Sequence, residues 1–263
     1  MKRYIRIAFL SVCLAVGQAN AQSDFKGVVA HRAGIYDDKA LPENSYAALH
    51  KSAEMGVNAI EIDVHLSKDG VVVVNHDHDF QGMDIATNTY ADLKSVGKLS
   101  NGETLSTLHD YIREIKKHRG LALWVDIKRS NVDMAWDVKA GEAVAKTITA
   151  ARAEDVAAVI APMFPAVVKI KLVNPKIKIY YIGVEYPPAV VKLLGFEGIN
   201  LQHKRYAKEY DMPALQQAGL AVGAYVVDDP AIMDSLLDQK VDFITTNKPA
   251  VLLEVVKRRK AGK

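Results

Sequence analysis

The sequence has 263 residues, is 49% hydrophobic and 25% charged, and carries a formal net charge of +3. That apolar share suffices for one large α/β core and excludes a disordered or collagen-like chain. The positive excess equals Lys2, Arg3 and Arg6, so from residue 22 onward the charges balance and no basic stripe suggests nucleic acid as a partner.

Those three cations open a pattern of their own. An apolar run follows from Ile7 to about Gly17, and Ala19-Asn20-Ala21 supplies small residues where a signal peptidase reads. The run is short for a membrane span, which needs roughly 20 residues. Residues 1–21 therefore read as a cleaved signal peptide. Residues 22–263 are expected in the periplasm or outside the cell, with no stable membrane insertion after cleavage. The one cysteine, Cys13, falls inside the leader, behind bulky Val12 and not behind the small residue of a lipoprotein site. The mature chain is thus expected to have neither disulfides nor thiolate chemistry.

After Ala21 there is no Gly/Ser linker, low-complexity tract or internal repeat, so one domain is expected. No motif specifies an oligomeric state. Strands are predicted at Gly27–Ala30, Ala59–His65, Val71–Asn75, Leu121–Ile127, Val156–Ile160, Ile177–Ile182, Ile199–Gln202, Ala221–Val227 and Phe243–Thr245. Most are apolar throughout, as strands buried on both faces must be. Helical segments alternate with them. The clearest starts at Thr107, with Asp110 three residues on, and places Leu108, Tyr111, Ile112 and Ile115 on one face. Lys116 to Arg119 suit the negative end of its dipole, and Gly120 is expected to stop it. About eight such units predict a closed (β/α)8 TIM-type barrel.

One connection departs from the pattern. Only Leu66 to Gly70 separate the second and third strands, too few residues for a crossover helix, so an antiparallel hairpin is expected. Centring its turn between Lys68 and Asp69 sets His76 opposite Glu61, roughly 5 Å away across the strands. The hairpin strand is then an extra one outside an eight-stranded ring.

Barrel enzymes work at the carboxyl ends of their strands. In this sequence those ends carry His31-Arg32, then Glu61-Ile62-Asp63, His76-Asp77 on the hairpin, and Asp126-Ile127-Lys128. Alternation puts Glu61 and Asp63 on one strand face, and likewise Asp126 and Lys128. Three carboxylates, two histidines, an arginine and a lysine would then meet at one opening. An exposed edge-strand reading of Glu61 and Asp63, or a plain ion pair between Asp126 and Lys128, is the bland alternative. His65, His78 and Asp79 are read as solvated, and Phe164, Tyr181 and Phe196 as core.

Val29-Ala30-His31-Arg32-Ala33-Gly34 and Leu41-Pro42-Glu43-Asn44-Ser45 resemble signatures of the glycerophosphodiester phosphodiesterase family. Glu61-Ile62-Asp63-Val64, Lys68-Asp69-Gly70, His76-Asp77 and Gly102-Glu103-Thr104-Leu105 continue the likeness in order, ending in Ile244-Thr245-Thr246-Asn247-Lys248-Pro249. The resemblance implies hydrolysis of a small-molecule phosphodiester to sn-glycerol 3-phosphate and an alcohol. It implies one divalent cation, Ca2+ or Mg2+, on Glu61, Asp63 and Asp126, whose oxygen ligands suit hard ions. His31 and His76 would be the acid/base pair, Arg32 and Lys128 would hold the phosphate, Tyr225 would contact substrate, and Glu43 would support Arg32.

Several residues depart from the family pattern. Ala33 replaces a glycine, and Asp126 replaces the usual glutamate, as in related phospholipase-D-type toxins. Tyr225, Asp228 and Asn247 stand where tryptophan, asparagine and aspartate are common, changes expected to affect substrate choice more than the phosphoryl site. Two other functions compete: a phospholipase-D-like lyase, and a barrel that binds phosphorylated ligands without catalysis. Pro42-Glu43-Asn44-Ser45 argues against the first, and the retention of both histidines against the second.

Overall fold

Alternate residues of a strand face opposite ways, and here both directions are buried. In the computed structural model, which describes residues 26–262 except Ala207, the strands are β1 Gly27–Ala30, β2 Ala59–Leu66, β3 Val72–Val74, β4 Asp79–Phe80, β5 Met83–Asp84, β6 Ala122–Ile127, β7 Ala157–Ala161, β8 Lys178–Tyr181, β9 Gly198–Gln202, β10 Ala221–Tyr225 and β11 Phe243–Thr246. The proposed leader lies outside the described residues. Parallel pairings run β1-β2-β6-β7-β8-β9-β10-β11, and β11 returns to β1, closing the ring. Helices cover the outside, so the predicted (β/α)8 barrel is the observed one. No helix among the described residues is long and apolar enough to cross a membrane.

Outward residues such as Val28, Ile60, Ile62, Leu123 and Val125 pack under the helices. The inward set is smaller: Val29, Ala59, Trp124, Ala158, Ile160 and Phe243. Trp124 stacks on Tyr180 with ring centroids 4.5 Å apart, and Phe243 meets Trp124 edge-on at 4.3 Å. Each such aromatic contact contributes about 0.5–1.5 kcal/mol beyond its area. Gly223 makes room for this plug, since a Cβ there would lie 1.8 Å from the Phe243 ring. The lower barrel is therefore filled. Polar side chains begin at its upper edge, with Glu61 level with Trp124 and Asp63 and Asp126 one inward step higher.

The helix Leu108–Ile115 buries Leu108, Tyr111, Ile112 and Ile115 as its spacing predicts, and the Thr107 hydroxyl oxygen accepts from Asp110 N at 3.1 Å. It ends earlier than Gly120, because His118 N turns back to Ile115 O at 2.9 Å in a tighter turn.

The hairpin is present, but its register differs from the expected one by a residue. Val64 pairs with Val74, His65 with Val73 and Leu66 with Val72, which centres the turn on Asp69. The cause is Ser67, whose buried hydroxyl donates to Val71 O and accepts from Val71 N, both at 3.0 Å, closing a five-residue loop. Asn75, not His76, continues the ladder, with its N donating to Asp63 O at 3.0 Å. His76 leaves the strand, so it is not a cross-strand partner of Glu61.

Candidate active site

The site begins where the plug ends. Ala59, Glu61 and Asp63 share the inner face of β2, and β6 presents Ala122, Trp124 and Asp126 on its inner face. Register sets Glu61 beside Trp124 and Asp63 beside Asp126. One oxygen from each of Glu61, Asp63 and Asp126 lies within 4.8 Å of the others. Glu61 is 2% exposed and Asp63 fully buried, which removes the edge-strand alternative.

Chain β1 delivers the next two residues. Ala30 pairs with Ile60, so His31 emerges level with Glu61, and its Nε2 stands 4.0 Å from Glu61 Oε2. Arg32 and Ala33 then take left-handed backbone angles, φ 51° and 62°. Alanine there costs about 1 kcal/mol that glycine would not. The turn aims Arg32 N at Glu61 Oε2, 2.8 Å away. The Arg32 guanidinium is held through Nη1 to both oxygens of Glu43 at 3.0 and 2.9 Å, as the resemblance implies. Its Nε is 3.6 Å from Asp63 Oδ2.

Lys128 extends β6 into the same opening, with Nζ 2.7 Å from Asp126 Oδ2 and 2.7 Å from Asp63 Oδ1. It is an ion pair, but with both carboxylates and not Asp126 alone. Asn44 orients Asp63 from the other side, donating from Nδ2 to Oδ2 at 2.9 Å and accepting from Asp63 N at 3.2 Å. Asn44 belongs to the Pro-Glu-Asn-Ser segment, so that motif was legible but its link to Asp63 was not.

These surroundings separate the three carboxyls. Burial, with Asp63 and Asp126 close by, raises Glu61 well above the usual carboxylate range. Burial raises Asp126 as well, against the pull of Lys128. Burial also acts on Asp63, but Lys128 and the Asn44 hydrogen bond outweigh it and hold that carboxyl low. Glu61 Oε1 and Asp126 Oδ1 are buried without a hydrogen bond among the described residues, and Asp63 Oδ1 meets the Lys128 ammonium at 2.7 Å. Buried, mutually repelling oxygens of this kind fit a hard divalent cation, which would satisfy all three carboxylates at once.

The two histidines differ. Burial lowers His31, although Asn247 accepts from its Nδ1 at 2.7 Å. His76 is a third exposed, and its Nδ1 pairs with Asp77 at 2.8 Å. His65, expected in solvent, is buried: its ring Nε2 bonds His76 O at 3.0 Å and so fixes the loop that carries His76. Tyr225 ends β10, two residues beyond inward-facing Gly223, so it stands on the inner face at the carboxyl end of the barrel, and burial raises its hydroxyl. Asn200 and Thr245 also lie inside the barrel, with side-chain polar atoms that have no hydrogen-bond partner among the described residues; strand alternation alone would have placed them inward.

Asp228 and Asn247 stand beside the acidic cluster: Asn247 touches His31, and Asp228 holds Asn247 through its Nδ2 and N, both at 2.8 Å.

The sequence pattern of the Glycerophosphoryl diester phosphodiesterase family matches residues 31–251. A curated glycerophosphodiester phosphodiesterase from Caldanaerobacter subterraneus subsp. tengcongensis is 26% identical over 251 residues, covering 88% of this chain and 98% of that one. A crystal structure of a glycerophosphodiester phosphodiesterase from Parabacteroides distasonis superimposes with a TM-score of 0.80 at 30% identity, covering 90% of this chain and 99% of the other. An Oleispira antarctica phosphodiesterase, solved with the product sn-glycerol-3-phosphate, shares the fold at TM-score 0.74 and 23% identity, over 88% and 96% of the two chains. With a family pattern spanning most of its length and a relative's barrel superimposed from end to end, this chain belongs to the glycerophosphoryl diester phosphodiesterase family and is a phosphoric diester hydrolase.

Proposed function

We propose that the protein hydrolyses glycerophosphodiesters to sn-glycerol 3-phosphate and an alcohol, with a divalent cation, Ca2+ or Mg2+, at Glu61, Asp63 and Asp126. The observation that carries this reading is the convergence of those oxygens within 4.8 Å of one another, beside His31. When bound, the cation would neutralise charge building on the phosphoryl oxygens.

The chain's own residues supply the rest. Arg32, fixed by Glu43, and Lys128, held between Asp63 and Asp126, present positive charge to the phosphate. His31, kept neutral by burial, takes a proton from the attacking hydroxyl, either water or the substrate's own 2-hydroxyl, whose attack gives a cyclic phosphate that water then opens. His76 protonates the departing alkoxide. Acid-base steps of this type contribute about 10²–10⁴-fold each. Tyr225 borders the substrate.

The test is release of glycerol 3-phosphate from glycerophosphocholine, -ethanolamine and -inositol, with and without EDTA and with Ca2+ or Mg2+ restored. EDTA-sensitive release is expected. Its absence for every substrate would favour a non-catalytic binding barrel, and a cyclic product from choline lipids would favour a lyase. The same proposal puts the enzyme in the periplasm or outside the cell. Support comes from the charged, apolar and small-residue pattern of residues 1–21, and a mature protein that does not begin near Gln22 would refute it.

A further inference from the structure

A second cluster of metal-binding side chains lies away from the acidic one. Helices Tyr46–Met55 and Leu108–Ile115 pack side by side on the outside of the barrel, joined by Tyr46 against Tyr111 at 5.2 Å and by the Tyr111 hydroxyl donating to Ser45 O at 3.1 Å. One helical turn beyond Tyr46, His50 faces Glu114, with Nε2 3.3 Å from Oε1. His118, four residues after Glu114, brings its ring to 5.0 Å from that of His50. One ligand atom from each of the three lies within 4.8 Å of the others.

We propose that His50, Glu114 and His118 form a second metal site, selective for zinc-like ions. The donor chemistry separates it from the active site. Two imidazoles and one carboxylate suit borderline transition metals, whereas three carboxylates suit calcium or magnesium. The spacing agrees. Zinc bonds of 2.0–2.2 Å put neighbouring ligands of a tetrahedron about 3.4 Å apart, and His50 Nε2 to Glu114 Oε1 is 3.3 Å. His118 Nε2 is buried and bonds no group among the described residues. The second Glu114 oxygen, Oε2, meets Lys117 Nζ at 2.7 Å, which fixes the carboxylate as a partner behind a metal ligand does. His50 is 45% exposed, so an ion has a way in and water can fill a fourth position.

Placement indicates what the ion does. His118 accepts from Leu121 N at 3.1 Å just ahead of β6, at the amino ends of the barrel strands. The acidic cluster is at their carboxyl ends. A metal at His50 therefore ties together two barrel helices and takes no part in phosphodiester cleavage.

Zinc binding should be measured by calorimetry with Ca2+ saturating the acidic site, alongside thermal melting, on the full chain and on His50→Ala, His50→Gln and His118→Ala. One zinc per chain is expected for the unmodified protein, with a raised melting temperature. Each substitution should weaken binding by at least about 100-fold, more than loss of an outer-shell partner typically costs. Zinc-free phosphodiesterase activity should be unchanged in the two His50 variants, which shows that they fold. Undiminished zinc binding in those variants, or no binding by the unmodified chain, would overturn the proposal. Zinc lost on Asp126→Asn but kept on His50→Ala would assign the ion to the active site and overturn it equally.

Discussion

Asn247 Oδ1 lies 2.7 Å from Nδ1 of His31, and that contact settles which imidazole nitrogen carries the proton. The Asp228 carboxylate can only accept hydrogen bonds, and it takes one from Asn247 Nδ2 at 2.8 Å. The amide must therefore turn its oxygen to His31, so Nδ1 is the donor and the Nε2 lone pair faces Glu61 and the site. Asn247→Ala should free the ring and lower kcat by about 10²-fold with little change in KM, given that a lost orienting partner leaves the wrong tautomer available. Asp228→Asn would let the amide flip and should give a similar loss. Steady-state kinetics on both variants decide this, and an unaltered kcat in Asn247→Ala would remove Asn247 from the site.

The same tautomer gives the histidines distinct expected behaviour. His31, lowered by burial, stays neutral at pH 7 and can act as a base. His31→Ala and His76→Ala should each reduce turnover by about 10²–10⁴-fold or more. A substrate with a good leaving group does not need the acid, so only His76→Ala should recover with it. Equal recovery of both variants would contradict the assignment.

Much of this was readable from the strands. Inward alternation along Ala59, Glu61 and Asp63, and along Trp124, Asp126 and Lys128, follows from period two and a barrel buried on both sides. The hairpin register was not readable, because it turns on Ser67 bonding Val71 from inside the loop, and Ser67-Lys68-Asp69-Gly70 also suits a shorter turn. His76 leaves the ladder there, and the buried His65 ring holds its carbonyl. Nor do Asn44 and Asn247 carry any sequence mark of what they contact. Asn44 meets Asp63 across one β-α-β unit, and Asn247 meets His31 because the ring closes between β11 and β1.

Stability should depend jointly on pH and metal. Glu61 is raised in the folded state by burial and by neighbouring carboxylates, so the folded chain holds its proton more tightly than the unfolded chain does. Without metal, that contribution is present below the ordinary glutamate value and is lost as pH rises through the raised one. A divalent cation favours the deprotonated form, so its stabilising effect must grow over the same interval. Melting temperatures with EDTA and with Ca2+ should diverge as pH increases from acid to neutral. Parallel curves would mean that Glu61 does not meet the ion.

Lys128 offers the sharpest separation of structure from chemistry. Its ammonium balances Asp63 and Asp126, each 2.7 Å away, and these carboxylates hold it well above the ordinary lysine value despite burial. Removing one partner of a largely buried ion pair strands the other charges and costs about 3–5 kcal/mol. Lys128→Met should therefore destabilise the metal-free protein by about 3 kcal/mol in urea unfolding. Ca2+ should restore much of that loss, because the cation takes over the balancing charge for Asp63 and Asp126. Activity should not return with it. If Lys128 helps hold the phosphate, the refolded, calcium-loaded variant still lacks a donor on that oxygen, and kcat/KM should stay depressed by about 10²-fold, the usual scale for losing one charge-stabilising contact. A calcium-loaded variant that regained full activity would reduce Lys128 to a structural counter-ion.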